Sequence, residues 1–127
     1  MEPVAIVTVA ALIQYLVLAY QVSMARIRHG VLAPATSGHP EFERRFRIHQ
    51  NTLEALVVFI PALWMFGFYV HPLTGALIGL LFPIGREVYR RSYVADPSTR
   101  AAGSAISGAA IVVLLVGAAI GAFISWL

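Results

Sequence analysis

Two stretches of the chain carry polar side chains at helical spacing within otherwise apolar surroundings. Arg44, Arg47, Asn51 and Glu54 stand at offsets 0, 3, 7 and 10, which on a helix turning about 100° per residue confines them to an arc of about 80°. Arg45, Phe46 and Ile48 fall off that arc. Arg86, Tyr89 and Tyr93, at offsets 0, 3 and 7, form a second stripe. Facing one another, the stripes offer several guanidiniums, an amide, a carboxylate and two phenols. Such a pocket, with surplus positive charge and many donors, suits a small polar anion that itself bears carboxylates. Arg100 follows the helix-start signal Asp96-Pro97, where unpaired backbone N–H groups and the helix dipole already favour an anion.

Composition says what surrounds these groups. Of 127 residues 59% are apolar and 12% charged, whereas a soluble domain averages about 25% charged residues. The chain therefore reads as a membrane protein with one domain spanning residues 1–127. All nine basic residues are arginines, in two groups: Arg26 to Arg47 and Arg86 to Arg100. Because these groups flank apolar spans, nucleic acid is not an expected partner. There is no cysteine, so a disulfide scaffold, a thiolate metal site and a protein-borne thiol nucleophile are excluded. Any sulfur chemistry needs an imported thiol. His29, His39, His49 and His71 show no metal-ligand spacing, so no metal is expected.

The uncharged stretches predict the elements that hold the stripes. Pro3 to Ala25, Ala55 to Gly85 and Ala101 to Leu127 carry no charge, and His71-Pro72 breaks the middle one. With about 20 apolar residues needed per crossing, this gives an all-α, integral-membrane four-helix bundle. The first helix covers about Pro3 to Ala25 and, since Met1-Glu2-Pro3 lacks a basic start, reads as uncleaved. The second starts at Pro40 or Glu41 and reaches Val70. The third runs from Leu73 to Tyr93, and the fourth is capped by Asp96 with Pro97 at its first position. Pro61 and Pro83 are expected to kink their helices. Both arginine groups then share one side of the membrane, which the positive-inside rule makes cytoplasmic, with both termini opposite. Small residues at spacing four, Gly75 and Gly79, Ser104 and Gly108, Gly117 and Gly121, predict close helix packing.

Depth joins the two stripes. Measured from the His71-Pro72 turn at about 1.5 Å per residue, Glu54 lies roughly 24 Å into the membrane and Arg86 roughly 20 Å. Neither stripe is expected to face lipid; a Glu54–Arg86 ion pair that fixes packing and nothing more is the alternative to a functional site. An ionisable group at such depth is a functional hypothesis by default.

The segment Pro40-Glu-Phe-Glu-Arg-Arg-Phe-Arg-Ile-His-Gln-Asn-Thr-Leu-Glu54 resembles the Glu-Arg-x-x-Arg-x-x-x-Asn-x-x-Glu signature of the membrane-associated proteins in eicosanoid and glutathione metabolism (MAPEG). Arg86-x-x-Tyr89-x-x-x-Tyr93, followed by Arg100, is similar to a second family pattern. The resemblance implies a homotrimer with glutathione as co-substrate, held between subunits near the cytosolic face by Arg26, Arg47, Asn51, Glu54, Arg86, Tyr89 and Tyr93. It implies that Arg100 stabilises the glutathione thiolate and leaves Tyr93 as a hydrogen-bond donor in catalysis. The implied activity is a detoxifying transferase or peroxidase of the bacterial inner membrane, acting on lipophilic electrophiles or lipid hydroperoxides. Two departures stand out: Ala55 where the lipid-mediator synthases often have Tyr, and Ile27 where one synthase has a second Arg. They argue against a dedicated leukotriene synthase. A non-catalytic lipid- or glutathione-binding scaffold on the same fold is the alternative. A proton-coupled exporter fits poorly, because arginines beside Glu54 would hold it ionised.

Overall fold

A computed structural model describes residues 1–127. Helix α1 runs Glu2–His29 and α2 Pro40–Tyr69; α3 (Pro72–Gly79) and α4 (Leu81–Ala95) follow, then a 3₁₀ turn Pro97–Thr99 and α5 Ala101–Trp126. Together they make four rods packed as a bundle, α3 and α4 sharing the third. Gly30, in the left-handed conformation at φ 65°, ends α1, as a glycine without a Cβ does at least strain. His39 and His71 cap α2 and α3: their Nδ1 atoms accept the N–H groups of Glu41 and Thr74.

The third rod bends as Pro83 leads one to expect, sharply enough to divide into two helices. It breaks at Leu80, three residues before Pro83. Proline has no N–H, and its ring crowds the carbonyl four residues earlier, here that of Gly79. Pro61, by contrast, sits inside an uninterrupted α2. As a result α1, α2 and the rod Pro97–Trp126 are each long and apolar enough to cross a membrane, while the remaining crossing is made in two pieces. Gln14 on α1 donates to the Pro83 carbonyl at 2.8 Å and ties α1 to the start of α4.

The core lies midway along the rods. Phe59 of α2 stacks on Phe82 of α4 with centroids 4.0 Å apart, in one buried cluster with Leu63, Leu114 and Ala11 that extends to Val4. Large apolar side chains such as Ile6, Leu16, Val57, Phe68 and Ile124 point outward, as a hydrocarbon solvent permits. Both arginine groups come to one end of the bundle. Arg28 reaches Glu41 at 2.8 Å, Arg45 donates to Gln21, and Arg44 donates to the Val94 carbonyl at the end of α4.

Small residues set the closest approach, though not all in the expected register. A Cβ built at Gly75 or Gly79 would meet Phe66 or Leu63, and at Gly117 or Gly121 it would meet Phe66 or Val70. The Ser104–Gly108 pair instead faces away, with nothing within 4 Å of Gly108. One residue earlier, Gly103 and Ser107 are buried and form the real contact between α5 and α4. A Cβ at Gly103 would stand 2.3 Å from the Tyr89 nitrogen, and one at Gly85 would stand 2.6 Å from the Ser107 nitrogen. The two backbones touch there.

Candidate functional site

That backbone contact lies where the polar stripes meet. Arg86, only 3% exposed, donates from Nη1 to Asn51 Oδ1 at 2.9 Å, and its guanidinium lies 4.1 Å from the centroid of the Tyr89 ring. Tyr89 is buried in turn and stacks on half-buried Tyr93 with centroids 5.4 Å apart. Gly103 of α5 packs directly on the Tyr89 backbone, three residues after Arg100. Asn51, Arg86, Tyr89 and Tyr93, four of the eight residues singled out in the sequence, thus meet at one helix crossing.

The bare ion pair of Glu54 with Arg86, the alternative to a functional site, does not form within the chain. Glu54 turns to Arg47 on its own helix at 3.6 Å, and both side chains are more than half exposed. The shorter amide of Asn51, one turn nearer the arginine end, is the group that meets Arg86 at this helix crossing. Arg47 and Glu54 occupy the open edge of the site in the single chain.

Arg100 is also displaced from its expected position. The 3₁₀ turn Pro97–Thr99 intervenes, so Arg100 is the cap of α5 and not a residue of its first turn. Asp96 still caps as expected: its carboxylate accepts the Ser98 N–H at 3.0 Å, a bond that holds the carboxyl below its usual range. The cap is therefore complete at neutral pH and weakens only as pH falls through that lowered range.

Arg26 stands apart from the other seven. It donates to the Ala35 carbonyl at 2.7 Å and lies 4.5 Å from the Phe42 ring centroid. Phe42 is nine residues before Asn51, roughly 14 Å along α2. Arg26 lines a separate surface hollow with Ser23, Ile27 and Leu32.

Arg86 shows what the arrangement lacks. Its Nε and Nη2 groups are buried and have no acceptor in the chain. A buried donor without a partner carries its full desolvation penalty, and a carboxylate placed between Arg86, Arg47 and the phenols would remove it. Reasoning from the sequence missed the residues that make this geometry possible, Gly85, Gly103 and Ser107. The spacing Gly103-x-x-x-Ser107 was the available signal.

Removing Asn51 would leave Arg86 with no hydrogen-bonding side chain. Asn51→Leu is expected to lower stability by about 2 kcal/mol, with Asn51→Asp restoring most of it, as read by thermal unfolding in detergent.

Comparison with known proteins bears on the same segments. The model of the MAPEG family matches residues 4–120. Human microsomal glutathione S-transferase 2 is 36% identical, over 90% of this chain and 78% of that protein. Mouse leukotriene C4 synthase is 34% identical, over 99% and 86%. An uncharacterized protein of Synechocystis is 40% identical, over 90% and 83%.

Proposed function

The chain belongs to the MAPEG family, as an integral membrane protein related to glutathione-using membrane enzymes, and on that premise we propose that it activates glutathione for attack on lipophilic electrophiles. The carrying observation is the buried Arg86, with two N–H groups lacking an acceptor beside Asn51 and the Tyr89–Tyr93 stack. Glutathione brings carboxylates to Arg86 and Arg47 and an amine to Glu54. Its thiol lies toward Arg100, where a guanidinium and the first N–H groups of α5 favour the thiolate. The sulfur lone pair then forms a bond to the electrophilic carbon as the leaving group departs, with Tyr93 donating a hydrogen bond to the developing anion. With a lipid hydroperoxide the thiolate takes the terminal oxygen and releases an alcohol. A second glutathione then completes the disulfide and releases water. The arginine-rich end faces the cytoplasm of a bacterial inner membrane and the termini lie opposite.

The separation of Arg26 and the open edge at Arg47 and Glu54 support a site shared between neighbouring copies. In a homotrimer, Arg26 of the partner subunit would close the edge that one chain leaves open. Co-expressing Arg26→Ala with Arg100→Ala tests this. Neither variant alone should conjugate glutathione to a lipophilic electrophile at more than a few per cent of the wild-type rate. Mixed rings contain one intact site each and should recover about a quarter of wild-type activity for random assembly of three subunits. No recovery would place every site residue within one chain.

A further inference from the structure

Three helices each contribute one guanidinium to a surface hollow away from the proposed glutathione site. Arg28 of α1, Arg45 of α2 and Arg90 of α4 line a hollow of about 360 Å³ with Tyr20, Gln21 and Met24. Arg45 is two residues from Arg47, about 160° away around the helix, so the hollow opens on the far side of α2 from Arg47.

Its charge is only partly answered. Glu41 is shared by Arg28 at 2.8 Å, Arg45 at 3.3 Å and the His29 ring at 2.7 Å. Glu87 is shared by Arg90 at 2.6 Å and Arg91 at 2.7 Å. Two carboxylates therefore serve four guanidiniums, Gln21 accepts one further N–H of Arg45, and most of the N–H donors on Arg28, Arg45 and Arg90 have no acceptor within the chain. The positive-inside rule asks for arginines near this surface; it does not ask three of them, from separate helices, to converge on one hollow.

The walls have a matching polarity gradient. Above the arginines come Tyr20 and Met24, and the outer face of α1 continues toward the membrane centre with exposed Leu16, Ile13 and Val9. A charged mouth at the helix ends thus leads into an apolar strip, the complement of an amphiphile with an anionic head.

We propose that this hollow binds the phosphate of an anionic membrane lipid, with its acyl chain lying along Leu16 and Ile13. Its volume is at the lower end of small-molecule sites, enough for a phosphodiester with its glycerol. Bound there, the phosphate bridges α1, α2 and α4 at the end of the bundle. The hydrogen bond already joining α1 to α4, from Gln14 to Pro83, lies deeper.

The test uses the purified full chain in detergent with three probes: dioctanoyl phosphatidylglycerol, dioctanoyl phosphatidylcholine and inorganic phosphate. Phosphatidylglycerol is expected to bind about tenfold or more tighter than phosphatidylcholine, and to raise the melting temperature. Joint replacement Arg45→Gln and Arg90→Gln should weaken it about tenfold or more, taking each arginine near a membrane surface as worth about 1 kcal/mol. Arg28→Gln alone removes a side chain that is 59% exposed, so its expected loss of about fivefold does not depend on folding of the double variant. Arg91→Gln, outside the hollow and 75% exposed, should stay within about twofold. Equal binding of the two lipids, or unchanged binding by the Arg28 and double variants, would overturn the proposal. Inorganic phosphate bound as tightly as phosphatidylglycerol would overturn the lipid assignment and make the ligand a free phosphate.

Discussion

Arg100→Ala is expected to lower turnover by about a hundredfold, while the glutathione dissociation constant changes by less than about threefold. The Arg100 side chain makes no ion pair or hydrogen bond within the chain and is exposed, so its removal leaves packing intact. What it loses is charge at the cap of α5, one turn before the Gly103 that packs on the Tyr89 backbone. A thiol with a pKa of about 8.5 is only a few per cent ionised at neutral pH. Lowering that value by about two pH units takes roughly 2.7 kcal/mol of preference for the thiolate. A guanidinium beside a helix N-terminus in a partly dry site is of the right size to supply it. Arg100→Lys keeps the charge without the planar fork and should fall between. Steady-state kinetics decides the matter: an equal fall in affinity and turnover would make Arg100 a binding residue instead.

Gly103→Val is expected to cost about 3 kcal/mol of stability, and to weaken glutathione binding more than tenfold. The added Cβ would lie 2.3 Å from the backbone nitrogen of Tyr89, and a helix backbone cannot swing aside as a side-chain tip can. Helices α4 and α5 must separate, and the separation falls at the residue around which the site is built. Gly108→Ala is the matched control. Nothing stands within 4 Å of its Cβ, and Ala is the better helix former by up to about 1 kcal/mol, so stability should hold or rise. Thermal unfolding and glutathione titration of both variants read this out, and a tolerated Gly103→Val would contradict the backbone contact.

These two cases also mark how far the sequence was legible. The rods and the shared end of the two arginine groups follow from charge-free stretches, because an unpaired charge in hydrocarbon is too costly to scatter at random. The stripes follow from the helical repeat, and Arg86 does meet the Asn51 stripe. The residue it meets was not legible. Whether the guanidinium reaches Asn51 or Glu54, one turn apart, depends on the axial offset of two helices, and periodicity within each helix carries no such information. The α5 contact failed in the same way. Ser104–Gly108 and Gly103–Ser107 are both small pairs at spacing four, and only the rotation of α5 against α4 selects between them. The break at Leu80 was anticipated as a kink at Pro83, since proline disturbs the turn before it. The isolation of Arg26 from the other seven residues could not be read from a motif at all, because a motif carries no distances between residues on different helices.

Ionised glutathione bound to the protein is the central claim, and it has a direct optical signature. Purified wild-type protein mixed with glutathione at neutral pH in a stopped-flow spectrometer should develop the ultraviolet absorbance of a thiolate, to a level that saturates at the number of binding sites and that Arg100→Ala loses. Glutathione that binds to folded protein with no thiolate band would contradict the account, and would leave a glutathione- or lipid-binding scaffold on this fold.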